Sequence, residues 1–327
     1  MEVRQETKSS FTEIIATDST PAALLESMML TRAYELKLPE IGIKMVCTSV
    51  GQEASATGVV RALGPADLIL TNHRSAGHLI ARGANPARML AEVMGKSTGY
   101  CKGKSGTLHI SIRELGIVLT STIVGGELSL ATGVALSQQQ LGKAGIVACF
   151  FGDGAATEGV FHESLNLASV WNLPVLYICE NNQWQAYVHR RETMRADHIS
   201  TWAASYGIES QTVDGNDVEA VFAAATAAAH KVRTTSKPFL LETYTYRMHG
   251  HMEMDDQSHV DRNELAAWAA KDPIETYRRR LLSNRVLNHG DIYRIEDSVK
   301  ETIEQAVQFA AASPYPEVAQ LTTEVYA

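Results

Sequence analysis

The chain has 327 residues, a formal net charge of −8, 45% hydrophobic residues and 20% charged residues. This is the composition of a folded globular protein with one large domain or two small ones, not of a disordered or membrane-embedded chain. The acidic balance argues against a nucleic-acid coat, which needs a basic face.

No apolar run approaches the ~18–20 residues that cross a bilayer, and the N-terminal MEVRQETKSSFTEII lacks the apolar core of a secretory signal. The four cysteines, Cys47, Cys101, Cys149 and Cys179, form no CxxC pair. Cys149 and Cys179 fall in apolar runs and read as core residues. Neither a disulfide framework nor a zinc site is expected, and the expected setting is reducing and cytoplasmic.

In chain order, residues 1–20 read as a polar arm. Pro21 to about Leu38 has helical apolar spacing with proline at its start. Gly51–Leu63 is a second helix and Asp67–Thr71 a short strand. Residues 95–107, rich in Gly, Lys and Ser, read as a loop. Gly126–Gln140 is a helix lined with small residues. Gly145–Phe151 (GIVACFF) and Pro174–Glu180 (PVLYICE) are short apolar runs of buried-strand type. The segment Thr157–Trp171 between them reads as a helix. Ile208–Val213 and Pro238–Tyr246 are further strands around the alanine-rich helix Val218–Val232. The tail from about Arg262 to Ala312 is helical with a break at Pro273. The expected fold is α/β: one domain over 21–327, a parallel sheet with helices on both faces, and a helical C-terminal part from about 262.

The chemistry is carried by the strand–turn–helix–strand run. The first strand ends in Gly152-Asp153-Gly154 and the second in Asn181-Asn182. In an open parallel sheet, ligands bind outside the carboxyl ends of the strands. Adjacent strands joined by one crossover bring Asp153 and Asn182 to the same edge. Glycine lets backbone approach a ligand, and free amides at a helix start favour an anion. An aspartate and an asparagine are hard oxygen ligands. With a diphosphate, a backbone carbonyl and water they make the environment that magnesium prefers. Taken alone, GDG reads equally as a helix cap and NN as a turn.

The run GDGAATEGVFHESLNLASVWNLPVLYICENNQWQ resembles the thiamine diphosphate motif, GDG followed by NN. With GQEA at 51–54, His73-Arg74 followed by GHLIARG, GYCKGKSGTLHI, and TYRMHGH at 245–251, the sequence from about Leu30 to Tyr277 is similar to the α subunit of the first component of the 2-oxoacid and acetoin dehydrogenase complexes. The CKGKSGTLHI block is nearest the acetoin branch. The resemblance implies a thiamine diphosphate-binding fold. It assigns magnesium to Asp153, Asn182 and the main-chain carbonyl of Trp184, and the diphosphate to the backbone of Gly154 and Ala155 and to Arg74 and His251. Arginine suits phosphate because its planar fork donates in parallel. His73 stands where many relatives have tyrosine. Thr122-Ile123-Val124 aligns with the stretch whose backbone meets the aminopyrimidine, with threonine at 122 where glycine is common. His251 is the one side chain implied near the reacting atoms, as a proton donor or a holder of charge.

Other readings stand beside these. Arg74 could form a surface ion pair. His249 and His251 alternate along an extended segment, which puts both on one side, as for a transition metal, though no third ligand is evident. Glu158, Glu163 and Asn166, in the helix after GDG, read as structural polar residues.

In this family a glutamate from a second, pyrimidine-binding domain promotes loss of the cofactor's proton. No such domain is evident here, so the resemblance implies a site completed by a β subunit in a heterotetramer of two α and two β chains. A lipoyl-bearing acyltransferase or carrier protein would accept the acyl-level fragment of a 2-oxoacid or acetoin. Glu127 and Ser129 depart from the family, which leaves open acyl transfer to a carrier protein or carboligation. A non-catalytic cofactor-binding subunit is a further alternative. A nicotinamide dehydrogenase is disfavoured because no GxGxxG opens a helix after a strand. Mitochondrial members carry a phosphorylatable serine right after HGH; Met252 stands there, so kinase control at that position is not expected.

Overall fold

The computed structural model describes residues 15–44 and 46–323, so the proposed arm over 1–20 lies mostly outside the described residues. Helix α1 (Pro21–Glu40) begins where the sequence places it: Thr20 accepts from the Ala23 amide and Pro21 occupies the first turn. It is followed by α2 (Glu53–Arg61), β1 (Leu68–Thr71), α3 (Ala76–Arg82), α4 (Pro86–Val93), β2 (Ile117–Thr120) and α5 (Gly126–Gln140). The central unit is β3 (Val147–Gly152), α6 (Asp153–Ala156), α7 (Gly159–Trp171) and β4 (Val175–Asn181). A small antiparallel ladder, β5 (Trp184–Gln185) and β6 (Val188–His189), leads to β7 (Glu209–Asp214), α8 (Val218–Thr235) and β8 (Phe239–Tyr244). The tail holds α9 (Arg262–Ala269), α10 (Pro273–Ser283) and α11 (His289–Ala312).

Six strands form one parallel sheet in the order β2-β1-β3-β4-β8-β7. Its faces follow from strict alternation. Val147, Cys149 and Phe151 join one core with Leu165 and Ala168 of α7. Ala148 and Phe150 join the other with Val59, Leu79 and Val221 of α2, α3 and α8. Strands covered on both faces are apolar without a break, which is why β3 and β4 are legible as runs. In the tail, Ile274, Tyr277, Leu281 and Ile292 of α10 and α11 pack against Leu24, Leu25 and Met28 of α1.

Phe150 is fully buried at the sheet centre, its ring 4.0 Å from that of His78. Phe150→Ala is expected to cost about 3–5 kcal/mol of stability, read from denaturant unfolding of the purified chain.

Several boundaries differ from the sequence reading. The helix expected from Thr157 starts at Gly159, because the chain makes the short turn α6 directly after β3 and then re-caps at Glu158. The tail breaks twice: Pro273 opens α10, capped by Asp272, and a second break at 284–288 ends in a capping box between Asn288 and Asp291. Helices α3 and α4 and strand β2 were not expected. In α3, six of seven residues are buried, so no polar face marks it as a helix.

Strand order reverses between β1 and β3: the chain steps from β1 outward to β2, then returns to the other side of β1. This is the topological switch point where open α/β sheets form a crevice. The segments leaving the carboxyl ends of β1, β2, β3, β4 and β8 all converge there.

Candidate functional site

A cavity of about 330 Å³ opens at that edge. It is lined by Asn72, His73 and Arg74 after β1, Ser121, Ile123, Val124 and Glu127 after β2, and Gly152–Ala155 with Thr157 and Glu158 after β3. Glu180, Asn182, Trp184, Gln185 and Ala186 come from the end of β4 and its hairpin, Gln52 from the start of α2, and His251 from the segment beyond β8. Every residue that the resemblance assigns to the cofactor or the metal lines it except Thr122, whose hydroxyl lies 3.4 Å from His109 Nε2. The left-handed residue of that loop is Gly125, at φ 77°, and not Thr122, so threonine at 122 sits without backbone strain.

Asp153 is 1% exposed and neither of its carboxylate oxygens has a hydrogen-bond partner. Burial pushes its carboxyl up to about 6, against the attraction of Arg247 and Arg190. A buried carboxylate left bare is costly, and such groups ordinarily find a partner or a metal. Asn182 is aimed by its neighbours. Its Nδ2 donates to Gln52 Oε1 at 3.0 Å and its Oδ1 accepts the Trp184 amide at 3.1 Å, which leaves that oxygen a second lone pair. The turn after it needs Gln183 in the left-handed region, at φ 71°. The Gln183 side chain secures it, donating to Asn181 Oδ1 at 3.0 Å and accepting from Arg190 Nε at 2.6 Å. The donors gathered here are oxygens: a carboxylate, an amide and carbonyls. Among the described residues no group of three or more His, Cys, Asp or Glu side chains is placed to hold a metal by itself. This chemistry fits a hard divalent cation that takes its remaining ligands from a phosphate.

The same cavity holds a cation. Arg74 is 6% exposed; its Nη1 donates to the Thr48 carbonyl at 2.6 Å, and its Nη2 lies 3.0 Å from His251 Nδ1 and donates to the His251 carbonyl at 3.1 Å. It is buried and has no carboxylate partner among the described residues, so the reading of Arg74 as a surface ion pair does not hold. Burial and the charges of Arg74 and Arg247 push His251 down to about 4, and burial with Arg74 pushes His73 down to about 3. Both rings are therefore neutral at neutral pH.

The segment after β8 runs on beside the β4 turn: the Thr245 amide donates to the Asn181 carbonyl and the Arg247 amide to the Asn182 carbonyl. This brings Arg247, 2% exposed, behind the site, where burial and Arg74 push it down to about 9. His249 and His251 do not share a side. His251 lines the main cavity, whereas His249 lines a separate cleft with Glu35, Pro39 and Thr48. The chain turns between them, with Asp255 accepting the His251 amide at 2.7 Å, so their spacing is not that of a strand.

A sequence profile of the dehydrogenase E1 component matches residues 22–319. The chain belongs to the dehydrogenase E1 component family. It is 39% identical to the α subunit of acetoin:2,6-dichlorophenolindophenol oxidoreductase of Bacillus subtilis, over 93% of this chain and 92% of that protein. It is 38% identical to the protein of the same name from Cupriavidus necator, over 84% and 83%. It is 33% identical to the pyruvate dehydrogenase E1 component α subunit of Porphyra purpurea, over 93% and 92%. As a family member it is the α-type subunit of a thiamine diphosphate-dependent dehydrogenase. No helix among the described residues is long and apolar enough to cross a membrane.

Family membership directs attention to residues that motif reading passed over. Arg247 and Gln52 sat inside the quoted blocks TYRMHGH and GQEA without a role. Gln52 Nε2 is buried and unpartnered, as are Trp184 Nε1 and Glu127 Oε2. Glu180 closes the floor, accepting from Ser55 at 3.0 Å and lying 3.2 Å from His78 Nε2.

Proposed function

We propose that this chain holds thiamine diphosphate through a magnesium ion and, with a β subunit, cleaves a 2-oxoacid or acetoin and passes the acyl-level fragment to a lipoyl-bearing acyltransferase. The observation that carries the reading is the pair of bare, buried Asp153 oxygens in the same cavity as the buried Arg74 guanidinium, which has no carboxylate partner among the described residues. One asks for a cation and the other for an anion. A magnesium diphosphate supplies both.

In this reading Asp153, Asn182 Oδ1 and the Trp184 main-chain carbonyl hold the ion. Arg74 and the Gly154 and Ala155 backbone hold diphosphate oxygens, with His73 and His251 beside them, and the Thr122-Ile123-Val124 backbone meets the aminopyrimidine. When bound, thiamine diphosphate supplies a carbanion and an electron sink. The chain itself positions and shields. His251, neutral and accepting at Nδ1 from Arg74, carries its proton on Nε2 and can present it as a donor toward the reacting carbonyl. Ile123 and Val124 are 68% and 53% exposed at the cavity mouth, an apolar rim that suits cover by a β subunit in an α2β2 assembly. Residues 21–327 act here as one diphosphate-binding domain, the helical part from about 262 bracing α1.

Calorimetric titration of thiamine diphosphate with magnesium, into the chain alone and into the chain co-expressed with its β subunit, tests this. Magnesium-dependent binding that requires the β subunit is expected; absence of binding in both preparations would overturn the reading. Gly152→Ala separates binding from folding. Gly152 sits at φ −90° and ψ 169°, open to any residue, and an added Cβ meets nothing within 4 Å. The variant should match the parent in stability within about 1 kcal/mol. Its cofactor affinity should fall by about tenfold or more, because the methyl occupies space kept for the diphosphate.

A further inference from the structure

We propose that Glu127 is a substrate-contacting residue that selects an uncharged hydroxyketone over an anionic 2-oxoacid. The proposal rests on the reading of the cavity as the thiamine diphosphate site and names the substrate class of that site.

Glu127 lies in the first turn of α5, 1% exposed, and lines the cavity together with Ile123 and Val124. Its Oε2 is buried with no hydrogen-bond partner, and among the described residues no Lys, Arg or His forms an ion pair with it. Structural carboxylates in this molecule look different. Glu242 accepts from Asn181, Ile199, Ser200 and Thr212, and Glu35 from the Ser49 amide and hydroxyl. Among the described residues Glu127 has neither a side-chain hydrogen-bond network nor a counter-ion, so its unpartnered oxygen, at the cavity wall, is left to be satisfied by what enters the cavity.

The charges around it decide what that is. Among the described residues lining the cavity, Asp153, Glu158, Glu180 and Glu127 are carboxyls and Arg74 is the one cation once His73 and His251 are neutral. In the proposed holoenzyme Asp153 faces the metal and Arg74 the diphosphate, and Glu180 is satisfied by Ser55 and His78. A substrate carboxylate would add an anion beside Glu127 with no remaining cation to meet it. Two like charges held close in a poorly solvated cavity repel, and binding the carboxylate there requires Glu127 to take up a proton. A neutral hydroxyketone brings a hydroxyl that donates to the carboxylate or accepts from the carboxylic acid. Burial pushes Glu127 up to about 7, so the repulsion acts where the carboxylate prevails, above neutral pH, and the paired assays are run at pH 8.

The test uses the reconstituted α/β holoenzyme with magnesium and thiamine diphosphate, acetoin and pyruvate as paired substrates, and Glu127→Gln. The ratio of kcat/KM for pyruvate over acetoin should rise by about tenfold or more, chiefly through KM, while cofactor affinity by calorimetry stays within about twofold. Infrared difference spectra on adding acetoin should show a perturbed carboxyl band in the parent that is lost in the variant. Glu127→Met, of similar length without an amide, should repeat the change in ratio and covers a failure of the glutamine variant to fold. An unchanged ratio with cofactor affinity intact would overturn the proposal, as would loss of cofactor affinity, which would place Glu127 on the cofactor instead. Failure of the parent complex to bind the cofactor at all would remove the reading of the cavity beneath it.

Discussion

Asp153→Ala should abolish magnesium-dependent cofactor binding and at the same time stabilise the metal-free chain. The two effects share one cause. Both carboxylate oxygens are buried without partners, so in the metal-free protein the charge is a cost with no return. Removing a buried, unpaired charge relieves a penalty of about 1–3 kcal/mol. On the proposed reading, adding the metal and diphosphate to the parent should reverse the sign, because the same oxygens would then become ligands and binding energy would be added to folding. Thermal melting of parent and variant, each with and without magnesium thiamine diphosphate in the presence of the β subunit, gives a crossing pattern: variant above parent when empty, parent above variant when loaded. A variant that melts below the parent when empty would show the carboxylate to be a structural partner, and the metal assignment would lose its main support.

The pH dependence follows with a definite sign. Burial raises the Asp153 carboxyl from an ordinary 3.8 to about 6 in the folded protein. A carboxyl whose folded pKa is raised destabilises the fold wherever it must ionise. The penalty is absent below about pH 4, grows between 4 and 6, and is full above 6, where two units correspond to about 3 kcal/mol. The stability advantage of Asp153→Ala in the empty state should therefore shrink as pH falls from 7 to 4. Over the same range metal binding by the parent should weaken, because protons compete for the same oxygens.

What could be read from the sequence, and what could not, divides along physical lines. β3 and β4 are short, continuous apolar runs because helices cover both faces, and each ends in a motif whose side chains face the sheet edge. Asp153 and Asn182 were therefore legible together. Strand order was not, and the switch point between β1 and β3, which brings Arg74 into the same cavity as Asp153, is a property of topology. α3 escaped notice because burial on nearly all sides erases the polar face that marks a surface helix. The β5–β6 hairpin escaped because its left-handed positions are Gln183 and Ala186, held by side-chain hydrogen bonds and packing and not announced by glycine or asparagine. The alternation of His249 and His251 misled for a related reason. Gly250 packs against Asp255 so closely that a Cβ there would lie 2.5 Å from the Asp255 Cβ, and the chain turns where a strand would continue. Glu127 stood out in the sequence as a departure from the family, but only its burial and bare oxygen give that departure a chemical meaning.

Arg74→Lys should cost about 100-fold or more in cofactor affinity although it keeps the charge. The guanidinium spans three acceptors at once: the Thr48 carbonyl, the His251 carbonyl and His251 Nδ1. It thereby fixes both its own fork and the imidazole. An ammonium is a single point on a flexible stem and cannot meet all three while facing a phosphate. Leaving one buried carbonyl unpaired should also cost the empty chain about 1–3 kcal/mol. Arg74→Met separates geometry from charge. Burial is the largest cause of the low His251 pKa and the Arg74 charge the next, so removing that charge should raise the His251 pKa from about 4 toward its ordinary 6.5. NMR titration of His251 reads this directly in the chain without cofactor. A rise in Arg74→Met, with the pKa held low in Arg74→Lys, would show that Arg74 keeps His251 neutral by charge and aims it by geometry. An unchanged pKa in both variants would assign the depression to burial and Arg247 and leave Arg74 without influence on the imidazole.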